Sequence, residues 1–92
     1  MSGDSIHPGM ADKWRALLAL SEEQRQQEAA AQMASLLEQP AEARTAWVRV
    51  ILEAEAAGTD AEMARLIATR LRALSTLPVD DATSLMELFT GA

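Results

Sequence analysis

The stretch MARLIATRLRAL, residues 63–74, decides the fold class and poses the first question about function. Read at about 100° per residue, Met63, Ile67, Leu71 and Leu74 fall on one side of a helix, with Leu66 flanking them. The same window carries no alternating strand pattern. Arg70 sits between Leu66 and Leu74, inside the apolar stripe. A guanidinium there must be paired or exposed, because an unpaired buried charge costs several kcal/mol, on the order of the desolvation of an ion. Two arrangements meet that demand. In one, the Arg70 stem packs on the core edge and its head pairs with a carboxylate from another helix, with Glu38, Glu53 and Glu55 as candidates. In the other, the stripe is partly an interface and Arg70 meets an acidic group on a partner chain.

Outward from this helix the chain reads as more helices separated by turn signals. Thr59-Asp60-Ala61-Glu62 is a capping box that opens it, and Pro78 lies beyond its end. On the N-terminal side, "AEARTAWVRVILEAEAAG" places Ala43, Trp47, Val50, Ile51 and Ala54 on one face. Val48 and Leu52 widen that face, which makes this the most apolar helix and the expected centre of the domain. Pro40 suits its first turn, and Gly58 is expected to act as its C-terminal cap. Before it, Ser21 caps "SEEQRQQEAAAQMASLLEQ", with Gln24 completing a Ser-x-x-Gln box and Ala29, Met33, Leu36 and Leu37 forming the stripe. Glu22 to Glu28 carry no apolar residue and are expected to project into solvent. "MADKWRALLAL", residues 10–20, shows Trp14, Leu17 and Leu18 at helical spacing. After Pro78, Asp80 or Asp81 is expected to cap a short last helix, "DATSLMELF". The predicted fold is therefore all-α: a small bundle or orthogonal array of four main helices plus a short C-terminal one. Residues 10–92 are read as a single helical domain. Residues 1–9 read as a flexible leader, and Met10 as a candidate natural start behind vector residues.

The bulk numbers set limits on that domain. Ninety-two residues suit one small domain whose core is thin. The apolar fraction is 49%, much of it alanine, and the aromatics are Trp14, Trp47 and Phe89 alone. A core this poor in large side chains favours a partner or self-association. The formal charge of −6 argues against nucleic acid and anionic membranes as partners. The chain has no cysteine, which removes disulfides, zinc–thiolate sites and thiol catalysis and fits a reducing cytoplasm. No apolar run reaches the length of a membrane span, and no secretory signal pattern is present.

Catalytic chemistry has little to build on. His7, the only histidine, lies in the leader, so neither a histidine metal site nor a histidine base is expected. The glycines at 3, 9, 58 and 91 form no phosphate-cradling loop. Carboxylates gather at helix starts, where they serve capping and the helix dipole. We therefore expect no enzyme activity, no catalytic residue, no metal and no cofactor. The expected role is a small cytoplasmic protein–protein interaction module (an adaptor, accessory subunit or regulator) that binds through an apolar helix face. Its partner would be another protein or a second copy of the chain. Candidate partner-binding residues are Arg70, Trp14 and Trp47, the last two because tryptophan anchors interfaces, together with Leu85, Met86 and Phe89. The last three, with Leu88, give the C-terminal segment a loose resemblance to short amphipathic helices that dock into grooves. Two alternatives remain. Ala54 and Gly58 have helix-turn-helix spacing, followed by Arg65, Arg70 and Arg72, although Asp60 and Glu62 would meet the phosphates first. An apolar-ligand carrier lined by Met33, Trp47 and Met63 is the other.

Overall fold

The computed structural model describes residues 9–91, which form five α-helices and, among these residues, no strand. Residues 1–8 of the expected leader, His7 among them, lie outside the described residues. The helices are α1 (Met10–Arg15), α2 (Glu22–Leu37), α3 (Ala41–Ala56), α4 (Asp60–Leu74) and α5 (Val79–Gly91), with a 3₁₀ turn at Ala16–Ala19 after α1. This is the small all-α bundle that the apolar periodicity predicts. α1 packs chiefly on α3, and α2 on α4. α3 touches each of the other four helices, so the most apolar segment is also the central one. Its Val48 and Ile51 meet Trp14 and Leu17 from the first segment, Met33 and Leu36 from α2, Leu66 and Leu74 from α4, and Leu85 from α5 in one core. No helix among the described residues is long and apolar enough to cross a membrane.

Three local features depart from the sequence reading. The 10–20 helix tightens into the 3₁₀ turn after Arg15, and Leu20 is extended. Arg25 of α2 closes the end of the turn: its Nε donates to the Leu17 carbonyl at 3.1 Å, which also accepts the Leu20 amide, and its Nη2 to the Leu20 carbonyl at 3.0 Å. The start of α2 is therefore not simply solvated, since Gln26 also donates to the Thr69 carbonyl of α4. The last helix begins at Val79, with the Ala82 amide bonded to the Pro78 carbonyl. Asp80 and Asp81 thus occupy the first turn, where they favour the helix dipole, and neither caps it.

Gly58 is the third. It does not adopt the left-handed conformation of a helix-ending glycine, and α3 is closed by Ala57 in ordinary helical geometry. Gly58 instead leaves the space that two side-chain ends occupy. A Cβ there would stand 2.0 Å from Glu62 Oε1 and 2.7 Å from Arg15 Nη2, the two atoms that pair at 3.0 Å across the turn. Arg15 also donates to the Ala54 carbonyl at 2.9 Å, so it fastens α1 to the end of α3 and the start of α4. Arg44 repeats the device at the end of α2, donating to the carbonyls of Leu37 and Gln39 at 3.0 Å each. Neither α2 nor α3 has a basic residue in its own last turn. Arginines from other segments take that place.

Thr59 and Glu62 form the full capping box that the sequence predicts. The Thr59 amide, and after it the Arg15 guanidinium, hold the Glu62 carboxyl below its ordinary value of 4.5. A depressed carboxyl contributes stability above its unfolded-state value and loses it as pH falls through the folded-state value. We expect the Glu62 side-chain carbon to titrate below 4.5 by NMR. In Arg15→Gln and in Gly58→Ala the midpoint should move up while staying depressed, since the Thr59 amide remains. An unchanged midpoint in both variants would remove Arg15 from this account.

Candidate functional site: a groove beside a buried ion pair

The structure answers the question posed by Arg70. Its Nε donates to Glu55 Oε2 at 2.8 Å and its Nη2 to Glu55 Oε1 at 3.1 Å, a two-pronged pairing between α4 and α3. Both residues are buried, Arg70 at 7% exposure and Glu55 at 2%. The indole N–H of Trp14 donates to Glu55 Oε2 at 3.1 Å, so the carboxylate accepts three hydrogen bonds. The Arg70 guanidinium lies 4.3 Å from the centroid of the Phe89 ring, a cation–π contact with α5. Of the three carboxylates the sequence offered, Glu55 is the partner. Trp14 and Leu85 therefore face inward with no exposed surface, while Arg70 and Phe89, engaged within the chain, each keep a small exposed edge.

This pairing sets the rotation of α4. The side facing inward is centred on Leu66, Thr69, Arg70, Ala73 and Leu74, all buried. Met63 and Ile67 fall at its margin, half-buried, and Leu71 is turned outward at 48% exposure. The stripe expected from Met63, Ile67, Leu71 and Leu74 is displaced because alanine at 73 leaves room and Arg70 must reach Glu55. At about 100° per residue, Met63, Ile67, Leu71, Ala64 and Ala68 then trace a second, outer apolar strip. Arg65 and Arg72 border it, both exposed, with Arg72 Nη1 3.4 Å from a Glu22 carboxylate oxygen.

Where this strip meets α5 there is a groove of about 190 Å³ lined by Arg70, Leu71, Met86, Phe89 and Thr90. Met86 is exposed to the same degree as Leu71, 48%. The structure thus gathers three of the predicted site residues, Arg70, Met86 and Phe89, at one surface feature. Two of them form its fixed floor. Leu71 was not foreseen as a surface residue. The signal for it was present: α4 carries apolar residues over more of its circumference than one buried face can use. Trp47 is half-buried on α3 and lines a different cleft, between α1, α2 and α3. Of the side chains expected to line an apolar cavity, Met33 is sealed in the core and Met63 sits on α4, so neither lines that cleft with Trp47. Among the described residues, no group of three or more Asp, Glu, His or Cys could hold a metal ion.

Removing one member of the buried pair strands the other. Arg70→Met leaves the Glu55 carboxylate with the Trp14 N–H alone and should lower stability by about 3–5 kcal/mol in urea unfolding. Replacing both together, Glu55→Leu with Arg70→Met, should restore most of that loss, because no charge is then left buried. A double variant as unstable as the sum of its single variants would show that the pair contributes as two independent residues. Comparison of the chain with protein-family models, characterised protein sequences and solved structures returned no match.

Proposed function

We propose that this chain is a small helical protein–protein interaction module that receives an amphipathic helix of another protein on the outer face of α4. The observation that carries this reading is the joint exposure of Leu71 and Met86 along one groove. Two large apolar side chains held half in water beside each other gain by being covered, at about 25 cal/mol per Å² of apolar surface. Methionine and leucine are adaptable groove walls, and Ala64 and Ala68 let a second backbone approach closely. The bordering Arg65 and Arg72 favour a helix whose apolar face is edged by Asp or Glu. An adaptor, accessory subunit or regulator would each use such a surface. The helix-turn-helix alternative has less support: the N-terminal turn of α4, which would enter a DNA groove, presents Asp60 and Glu62.

The test compares the chain with its Leu71→Glu and Met86→Glu variants as bait in extracts of its own cells, with Val79→Glu as control. Val79 is 80% exposed and lies outside the groove. A stoichiometric protein retained by the parent and Val79→Glu, and weakened about tenfold or more by either groove variant, is the expected result. Binding untouched by both groove substitutions would overturn the reading. Light scattering across concentration checks the occupant: self-association abolished by Leu71→Glu would put a second copy in the groove in place of a foreign helix.

A further inference from the structure

We propose that α5 is a hinged wall of the α4–α5 groove. It lifts away as one unit at Ser75–Pro78 while α1 to α4 stay folded, so the groove exists only while α5 is seated. As regulation of docking this rests on the role given to that groove; the opening of α5 does not. Polar side chains fasten every other helix across element boundaries. Trp14 and Arg15 hold α1 to α3, and Gln26 holds α2 to α4. Arg44 of α3 reaches the end of α2, and Arg70 of α4 pairs with Glu55 of α3. Among the described residues α5 has no such tie. The hydroxyls of Thr83 and Thr90 donate to carbonyls of α5 itself, and Asp80, Asp81 and Glu87 enter no ion pair.

Apolar contact holds α5 instead. Leu85 and Phe89 are its buried residues, with Leu88 half-buried beside them, and Val79 and Met86 are exposed. The one charged contribution is the Arg70 guanidinium, 4.3 Å from the Phe89 ring centroid. Separating two elements is most costly when it leaves a buried polar group or charge unpaired. Lifting α5 does neither. Glu55 keeps all three of its donors, and Arg70 exchanges the aromatic ring for water. The backbone is divided at the same place. Pro78 has no N–H with which to continue the α4 ladder. The amides of Ser75, Thr76 and Leu77 close α4 by bonding back to Leu71, Ala73 and Leu74, and the Ala82 amide starts α5 on the Pro78 carbonyl. α4 therefore keeps its hydrogen bonds when α5 lifts. A free helix of 13 residues is marginal in water, so the lifted α5 unwinds and exposes its amides together.

Native-state hydrogen exchange on the free, ¹⁵N-labelled chain, followed by NMR across low urea concentrations, decides this with no partner present. The amides of Leu85, Met86, Leu88 and Phe89 should share one protection factor, about thirtyfold or more below that of Val48 and Ile51 in α3. That shared value should fall with urea at about half the α3 slope or less, because lifting one helix exposes far less surface than unfolding the bundle. Protection and slope equal to those of α3 would mean that α5 opens only when the whole bundle unfolds. Protection that declines residue by residue from Leu85 to Phe89 would mean fraying from the chain end. Either result overturns the hinge. The docking role of the groove stands or falls separately, on the Leu71→Glu comparison: exchange in the free chain is the same whether or not a partner helix exists.

Discussion

One carboxylate organises this molecule. Glu55 on α3 receives the Trp14 indole from α1 and both prongs of Arg70 from α4, and Arg70 in turn lies on the Phe89 ring of α5. Four of the five helices thus meet at one charged cluster in a mostly apolar interior. Taking two ions out of water is costly, and their attraction compensates only when the geometry is good and the remaining lone pairs are satisfied. Here both conditions hold. The gain over a purely apolar core lies in discrimination. An apolar α4 with residues on most of its circumference could sit at several rotations of similar energy. A guanidinium that must find one carboxylate selects a single rotation.

The other arginines act in the same spirit at the periphery. Small bundles end their helices close to the core, where carbonyls of the last turn lack helical donors. Arg15, Arg25 and Arg44 each reach from a neighbouring segment to carbonyls at these helix ends. Each has several donors in a planar fork, so one side chain reaches two acceptors at once. In a chain whose core is alanine-rich, these clips do part of the positioning that larger side chains do elsewhere. They also explain Gly58, whose missing side chain lets the Arg15–Glu62 pair cross the turn.

The fold was legible in the sequence because periodicity, Pro40, Pro78 and the Thr59 capping box are local signals. Trp14 and Leu17 were legible as one face for the same reason. The pairing of Arg70 was legible only as a demand for some carboxylate; which one depends on how α3 and α4 cross. The outward turn of Leu71 was hidden because a helical wheel with apolar residues on most sides does not say which side wins. Gly58 was misread as the C-terminal cap of α3 because the residue that uses its space, Arg15, lies 43 positions earlier in the chain. The contacts of Arg25 and Gln26 were missed for the same reason. Long-range polar contacts made by long side chains leave no periodic trace.

The buried pair and the proposed docking groove are one construction. Arg70 and Phe89 form the groove floor, and both are fixed from behind, by Glu55 and by the core. Leu71 and Met86 form its walls, each half in water. A floor that is already ordered adds no ordering cost on binding, while unbranched methionine is a side chain that adapts readily to the shape of a partner. The charge of Arg70 is also neutralised internally, so the groove presents little net positive field of its own. Selectivity for charge then falls to Arg65 and Arg72 at the border, where screening by salt is strongest. A partner helix would be held by apolar fit over the groove and oriented by its acidic edge. The same rotation of α4 that buries Arg70 is what brings that apolar strip to the surface.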